Sequence, residues 1–313
     1  MNKDKVLVIV GPTAVGKTAL SIQLAKEFNG EVISGDSLQV YRTLDIGTAK
    51  AGYEERSGIP HHLIDIIEPE ASYTVSDFKQ SAEKIIQNLS SEKKVPIICG
   101  GTGMYIQSLL FDFQLGKKDS QHLDMSVREK WEKFLVNQGK IKLWKELAEI
   151  DKAAALAIHP NNIKRVIRAL EVYETTGSSI LNQQEIDFKD LTQSQYDCKV
   201  VGLMTERSLL YERINKRVDL MMEMGLLAEA KMVYNLGDVQ AKQGIGYKEF
   251  YPYFTGEMSL ESAVEKVKQH SRQYAKRQMT WFRNRMTVEW FDVIQYPEQQ
   301  IVIRDDIKKW LFN

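Results

Sequence analysis

Short strand-like runs open the chain: Val6–Val10, Glu31–Ser34 and Val95–Cys99 read as buried strands. Helical spacing runs from Thr18 to Phe28 and from about Thr74 to Leu89. This alternation predicts a parallel sheet with helices on both faces. From about Phe113 to Tyr196 the pattern changes. Leu123–Val136, Ile141–Ile150, Asp151–Ile158 and Asn161–Thr176 all read as helices, with Asp151 and Asn161 as N-caps, Gly177 as a stop and no strand pattern between them. Val200–Met204 restores the sheet signal, and long helices follow from about Leu209 to Leu236 and from Ser259 to Arg285. The pattern predicts one α/β core, residues 1–112 and 197–313, interrupted by an all-helical insertion at 113–196. No repeat or low-complexity linker is visible.

Composition narrows the class. A chain of 313 residues can bury a full core, and 43% apolar with 27% charged residues is ordinary for a soluble protein. No run approaches a membrane span, and the chain enters a strand almost at once, which predicts no signal peptide. Two cysteines, Cys99 and Cys198, give neither a disulfide framework nor a zinc quartet, which fits a reducing cytoplasm. Lysine plus arginine equals aspartate plus glutamate at 42 each, so any basic surface must be local.

The first strand breaks into Gly11-Pro12-Thr13-Ala14-Val15-Gly16-Lys17-Thr18, which satisfies the phosphate-loop pattern. Its glycines let successive N–H groups and a helix N-terminus converge on phosphate oxygens. Lys17 adds a mobile positive charge, and the Thr18 hydroxyl is the usual inner ligand of Mg²⁺ in such loops. The loop implies a di- or triphosphate without saying which. Asp36 ends the second strand, where parallel strands face one crevice, so a carboxylate there can take a proton or hold water on Mg²⁺. The third strand ends in Gly100-Gly101-Thr102-Gly103, where many ATP hydrolases place an aspartate; glycines there admit the close approach of another molecule or form a tight turn.

Local basicity is the second signal. Between Lys266 and Arg285 lie Lys266, Lys268, His270, Arg272, Lys276, Arg277, Arg283 and Arg285 with no acidic residue among them, and Tyr274, Trp281 and Phe282 interleave with them. Lys268, Arg272 and Lys276 share a face at spacing four. Charge with rings suits a nucleic-acid strand, as a solvated face would also allow. A second basic group, Asn161-Asn162-Ile163-Lys164-Arg165 with Arg168, opens a helix of the insertion. Arg207, Arg213 and Arg217 follow the fourth strand; the last two stack at i, i+4 and suit either a departing diphosphate or pairing with Glu206 and Glu212. His61-His62 has no supporting ligand cluster, which favours a structural or capping role over a metal site.

Together these stretches resemble the tRNA dimethylallyltransferase (isopentenyl pyrophosphate:tRNA transferase) family in its bacterial form. The resemblance is carried by residues 11–18, DSLQVYRTLDIGTAK (36–50), PHHLID (60–65), GGTGMYI (100–106), HPNNIKRVIRALEVY (159–173), QGIGYKE (243–249) and YAKRQMTWFR (274–283), in the family's order. Ala51 and Met104 replace the family's usual proline and leucine. The resemblance implies a P-loop NTPase-like fold that moves a dimethylallyl group from its diphosphate to the exocyclic amine of the adenosine 3′ of the anticodon. It implies Asp36 as the base, with Lys17, Thr18, Arg217 and Thr102 assisting. Residues 11–18, with Arg213 and Arg217, would hold the diphosphate with Mg²⁺ on Thr18, ATP being neither required nor consumed. Asp36, Ser37, Leu38, Gln39 and Thr102 would meet the flipped adenine. Arg128, Asn161, Asn162, Ile163, Lys164, Arg165, Lys242, Gln243, Gly244, Tyr247, Arg272, Lys276 and Arg277 would grip the anticodon stem-loop of tRNA. A cytoplasmic monomer without a membrane partner is expected. The residues alone also fit a small-molecule kinase, an adenylate dimethylallyltransferase or a non-enzymatic RNA-binding protein. The first and last are disfavoured by the missing acidic residue after strand three and by the joint presence of Lys17, Thr18 and Asp36.

Overall fold

The computed structural model describes residues 3–112, 125–181 and 186–312. Among these, strands β1 (Lys5–Val10), β2 (Gly30–Ser34), β3 (His61–His62), β4 (Val95–Gly100), β5 (Asp197–Leu203) and β6 (Glu289–Phe291) form one sheet. Its order is β3-β2-β4-β1-β5-β6 and every pairing is parallel. Val6 through Val10 are fully buried, as a central strand covered on both faces requires. In register, Leu7 lies opposite Ile97 on one side and Lys199 on the other. The strand carboxyl ends therefore line up beside the loop that follows β1.

Helix α1 (Lys17–Glu27) begins after Gly16, which is left-handed at φ 102°, and no side chain caps it. Its first amides are thus left for an anion. The four-residue helix α2 (Tyr53–Arg56) precedes β3. Helix α3 (Val75–Ser91) is fixed at its start by Thr74, whose hydroxyl accepts the Asp77 N–H while Asp77 accepts the Thr74 N–H. Phe78 on α3 stacks on Tyr105 of α4 (Gly103–Leu110), centroids 4.3 Å apart. The chain divides into two compact units, 1–113 with 187–313, and 114–186. Residues 187–196 accordingly belong with the sheet, not with the insertion as the sequence pattern suggests. The Ser194 hydroxyl and the Gln195 amide both donate to the Leu110 carbonyl, at 2.9 and 2.8 Å.

The described part of the smaller unit is helical, with α5 (Met125–Ile150), α6 (Lys152–Ala157) and α7 (Ile163–Thr176). Gly139, at φ 79°, breaks α5 between the two predicted helices, whose first residues, 123 and 124, lie outside the described residues. Asp151 caps α6 by accepting the Ala154 N–H, and left-handed Gly177 ends α7. The cap of α7 is Asn162 rather than Asn161. Trp131, Leu143, Leu147, Val166 and Leu170 are among the residues of this unit's own core.

In the larger unit the predicted helix from 209 to 236 is two, α8 (Arg207–Glu223) and α9 (Leu226–Asn235), divided at Gly225 with φ 103°. Short α10 (Tyr251–Phe254) precedes α11 (Leu260–Arg285), whose cap is Ser259. Neither β6 nor α12 (Gln299–Phe312) is evident in the pattern. The strand has three residues, and α12 buries only Ile303 and Ile307.

Candidate active site

The carboxyl ends of the strands enclose a cavity of about 440 Å³. The phosphate loop forms one wall. Gly11 has φ 146°, and a Cβ there would stand 2.5 Å from the Leu203 carbonyl oxygen, so only glycine brings the loop this close to β5. The Lys17 ammonium rests on the Pro12 carbonyl at 2.7 Å. Burial lowers its pKa to about 8, Arg217 adding to the fall while Cys99 and Asp36 oppose it. Arg217, from α8, reaches the Thr13 hydroxyl at 3.5 Å and the Ala49 carbonyl at 3.3 Å. Arg213 donates to the Ala14 carbonyl at 2.9 Å. Both arginines therefore turn to the phosphate loop, and among the described residues neither pairs with Glu206 or Glu212.

Asp36 faces this cationic end across the cavity. Burial raises its pKa, opposed by the N–H groups of Leu38 and Gln39 and by the charges of Lys17 and Arg217. The Leu38 amide donates to its Oδ1 at 2.9 Å, fixing the carboxylate. The Ser37 N–H donates to the Thr102 hydroxyl at 3.1 Å, which ties the strand-two turn to the end of β4. The Tyr274 hydroxyl, held by Thr102 and Gln278, is pushed up to about 12 by burial. Gln39 spans from the Ser34 hydroxyl (2.9 Å) to the Thr48 carbonyl (3.3 Å), so its amide is oriented before any ligand arrives. Thr13, Thr18, Ser37, Leu38, Gln243 and Gly244 also line the cavity.

A family model described as IPP transferase matches residues 39–285. The chain belongs to this IPP transferase family. It is 55% identical over 310 residues to the tRNA dimethylallyltransferase of Enterococcus faecalis, covering 98% of each chain. The protein of the same name from Ligilactobacillus salivarius is 51% identical over 310 residues, covering 98% of this chain and 99% of the relative. Among solved structures, the tRNA isopentenylpyrophosphate transferase of Bacillus halodurans matches at TM-score 0.73 and 45% identity, over 99% of this chain and 97% of that one. A eukaryotic dimethylallyltransferase acting on tRNA matches at TM-score 0.81 and 31% identity, over 98% and 80%.

Several residues expected to touch ligand are occupied by the protein's own structure. The glycines from the end of β4 to the start of α4 admit the protein itself: a Cβ on Gly100 would strike the Gly35 oxygen at 2.3 Å, on Gly101 the Gln278 amide at 2.0 Å, and on Gly103 the Trp281 ring at 2.3 Å. Trp281 is thus packed on Gly103 and Phe282 is fully buried, so neither is free to stack on a base. Tyr247 is 0% exposed and gives its hydroxyl to Glu229 at 2.8 Å, which removes it from the RNA-contact set. Lys242 donates to the Leu236 carbonyl and lies over the Tyr234 and Tyr251 rings. Lys268 is paired with Asp219 at 2.7 Å, and Arg272 donates to Asn215. Lys276 and Arg277 are exposed, and Arg277 also lines the cavity, its guanidinium 5.7 Å from the Tyr274 ring centroid.

In the smaller unit Lys164 and Arg165 are exposed at the start of α7, beside half-buried Ile163, while Asn161 accepts from Lys140. Arg128 is held by Glu132 and by buried Glu171. His62 pairs with Glu31 at 2.6 Å, a structural tie across β2 and β3. Gln278 is the clearest residue that sequence reading passes over. Its Oε1 accepts the Thr13 N–H and its Nε2 donates to the Gly101 carbonyl, both at 3.1 Å. A neutral glutamine inside a basic run carries no signal of this role. No group of three metal-binding side chains occurs among the described residues. Thr18, with Asp36 opposite, fits a Mg²⁺ that takes most of its ligands from substrate phosphates and water.

Proposed function

We propose that this chain transfers a dimethylallyl group from dimethylallyl diphosphate to the exocyclic amine of the adenosine 3′ of the anticodon in tRNA. The observation that carries this reading is one cavity with Lys17 and Arg217 at one wall and a fixed carboxylate, Asp36, facing them. Its support in kind is membership of the IPP transferase family, with relatives named for this activity over the full chain.

In the transfer, the allylic C–O bond breaks and its electron pair leaves with diphosphate, while the amine nitrogen bonds to the allylic carbon. The aromatic amine is a weak nucleophile, so Asp36 accepts its proton as the new bond forms. A raised pKa brings that carboxylate nearer the working pH and strengthens it as a base. Loop amides, Lys17 and Arg217 meet the charge that grows on the departing diphosphate. Thr18 would hold Mg²⁺, which supplies further positive charge to that leaving group. Ser37, Leu38 and Gln39 offer a polar edge for the adenine, which must leave its stack to enter. Lys276, Arg277, Lys164 and Arg165 supply charge for the stem-loop phosphates.

The test is to incubate the purified chain, Mg²⁺ and dimethylallyl diphosphate with unmodified tRNA or with AMP, and weigh the acceptor. A mass gain confined to tRNA supports the reading. A gain on AMP would favour an adenylate transferase, and ATP-dependent phosphorylation a kinase.

A further inference from the structure

Glu229, on α9, does not line the cavity, yet its carboxylate collects four hydrogen bonds. Oε2 accepts the N–H groups of Asp45 and Ile46 at 2.8 and 2.9 Å, and Oε1 accepts the Gly47 N–H and the Tyr247 hydroxyl, both at 2.8 Å. Three consecutive amides turned to one side make an anion-binding concavity, and here the chain supplies the anion. The Tyr247 ring occupies the space that a Cβ on Gly47 would need, 2.6 Å away, so ring and glycine lock together. The stretch held this way forms part of the cavity wall through Gly47, Thr48 and Ala49. Its Ala49 carbonyl accepts from Arg217, whose other terminal nitrogen reaches the phosphate loop at Thr13. Thr48 gives its carbonyl to Gln39, so the same stretch also bears on the turn that carries Asp36.

We propose that Glu229 is a positioning residue for the donor end of the site. It fixes residues 45–49 and, through the Ala49 carbonyl, aims the Arg217 guanidinium at the diphosphate; the inference rests on the diphosphate reading of the phosphate loop given above. A charged carboxylate is suited to this because hydrogen bonds to it are stronger than those between neutral groups. Glu229→Gln keeps the volume but turns an NH₂ group toward backbone donors.

The test measures binding of inorganic pyrophosphate by calorimetry, with Mg²⁺, to the full chain and to Glu229→Gln, Arg217→Ala and the double variant. Glu229→Gln should weaken binding about tenfold, the scale of one lost charge-assisted hydrogen bond. Because it works through Arg217, it should add almost nothing in the Arg217→Ala background. In turnover, KM for dimethylallyl diphosphate should rise while KM for tRNA stays within twofold, allowing about the coupling error of such comparisons. Should Glu229→Gln not fold, Tyr247→Phe keeps the ring against Gly47 and drops one of the four bonds. Its smaller loss should likewise vanish in the Arg217→Ala background. Full additivity in the double variant, or wild-type binding by Glu229→Gln, overturns the positioning role. Wild-type protein without affinity for pyrophosphate would overturn the diphosphate reading, and this proposal with it.

Discussion

Replacing Gln278 by alanine tests whether the phosphate loop is held from α11. The side chain is 5% exposed and bridges the Thr13 N–H and the Gly101 carbonyl, each at 3.1 Å. Alanine leaves the two backbone groups without partners, at about 1–3 kcal/mol each where water cannot reach. Thr13 borders the cavity, where water can enter, so the lower part of that range applies and the expected loss is about 2–3 kcal/mol. At about 2–4 °C per kcal/mol for a domain of this size, melting should fall by roughly 4–12 °C. Gly101→Ala should reach the same end from the other side, since its Cβ would stand 2.0 Å from Nε2 and must expel the amide. With alanine at 278 the added methyl has room, so the double variant should be no less stable than either single one. Thermal unfolding by circular dichroism reads the stability, and KM for dimethylallyl diphosphate reads the displaced loop. Additive losses in the double variant, or an unchanged melting point in Gln278→Ala, would refute the bridge as the element that holds the loop.

Three further outcomes follow from the same geometry. Asp36→Asn keeps shape but removes the base, so single-turnover transfer should slow by roughly 10²–10⁴-fold with tRNA affinity nearly unchanged. Affinity for dimethylallyl diphosphate should fall as pH rises through about 8, because the free protein loses the Lys17 proton there while the bound anion favours keeping it; Lys17→Ala should bind weakly with that pH dependence gone. In tRNA binding against salt, Lys276→Ala and Arg277→Ala should each lower the slope of log affinity by about 0.7–0.9, whereas Lys268→Ala should leave it unchanged, its charge being spent on Asp219 and Glu265. Equal slope changes at all three positions would mean that the Lys268 ion pairs open on binding.

What the sequence determined is local in origin. The phosphate loop is written in adjacent residues because its function depends on consecutive amides and on glycines that tolerate φ of 146° and 102°, conditions met within one turn of chain. Central strands show themselves because burial on both faces demands unbroken apolar runs. The capping of α6 by Asp151 and the stop at Gly177 are likewise settled within a few residues. Strand β6 and helix α12 escaped because three residues, and a helix face reduced to Ile303 and Ile307, impose almost no pattern. The tertiary structure alone decided which charges are free. Lys268, Arg272, Lys276 and Arg277 look alike along one helix, yet the first meets Asp219 and the second Asn215, both on α8. It also decided that the glycines from the end of β4 to the start of α4 make room for Gly35, Gln278 and Trp281, and that Glu229 and Gln278 hold the walls of the cavity. The contacts of Gln278 join residues 177 apart (with Gly101) and 265 apart (with Thr13), and spacing along the chain carries no record of such contacts.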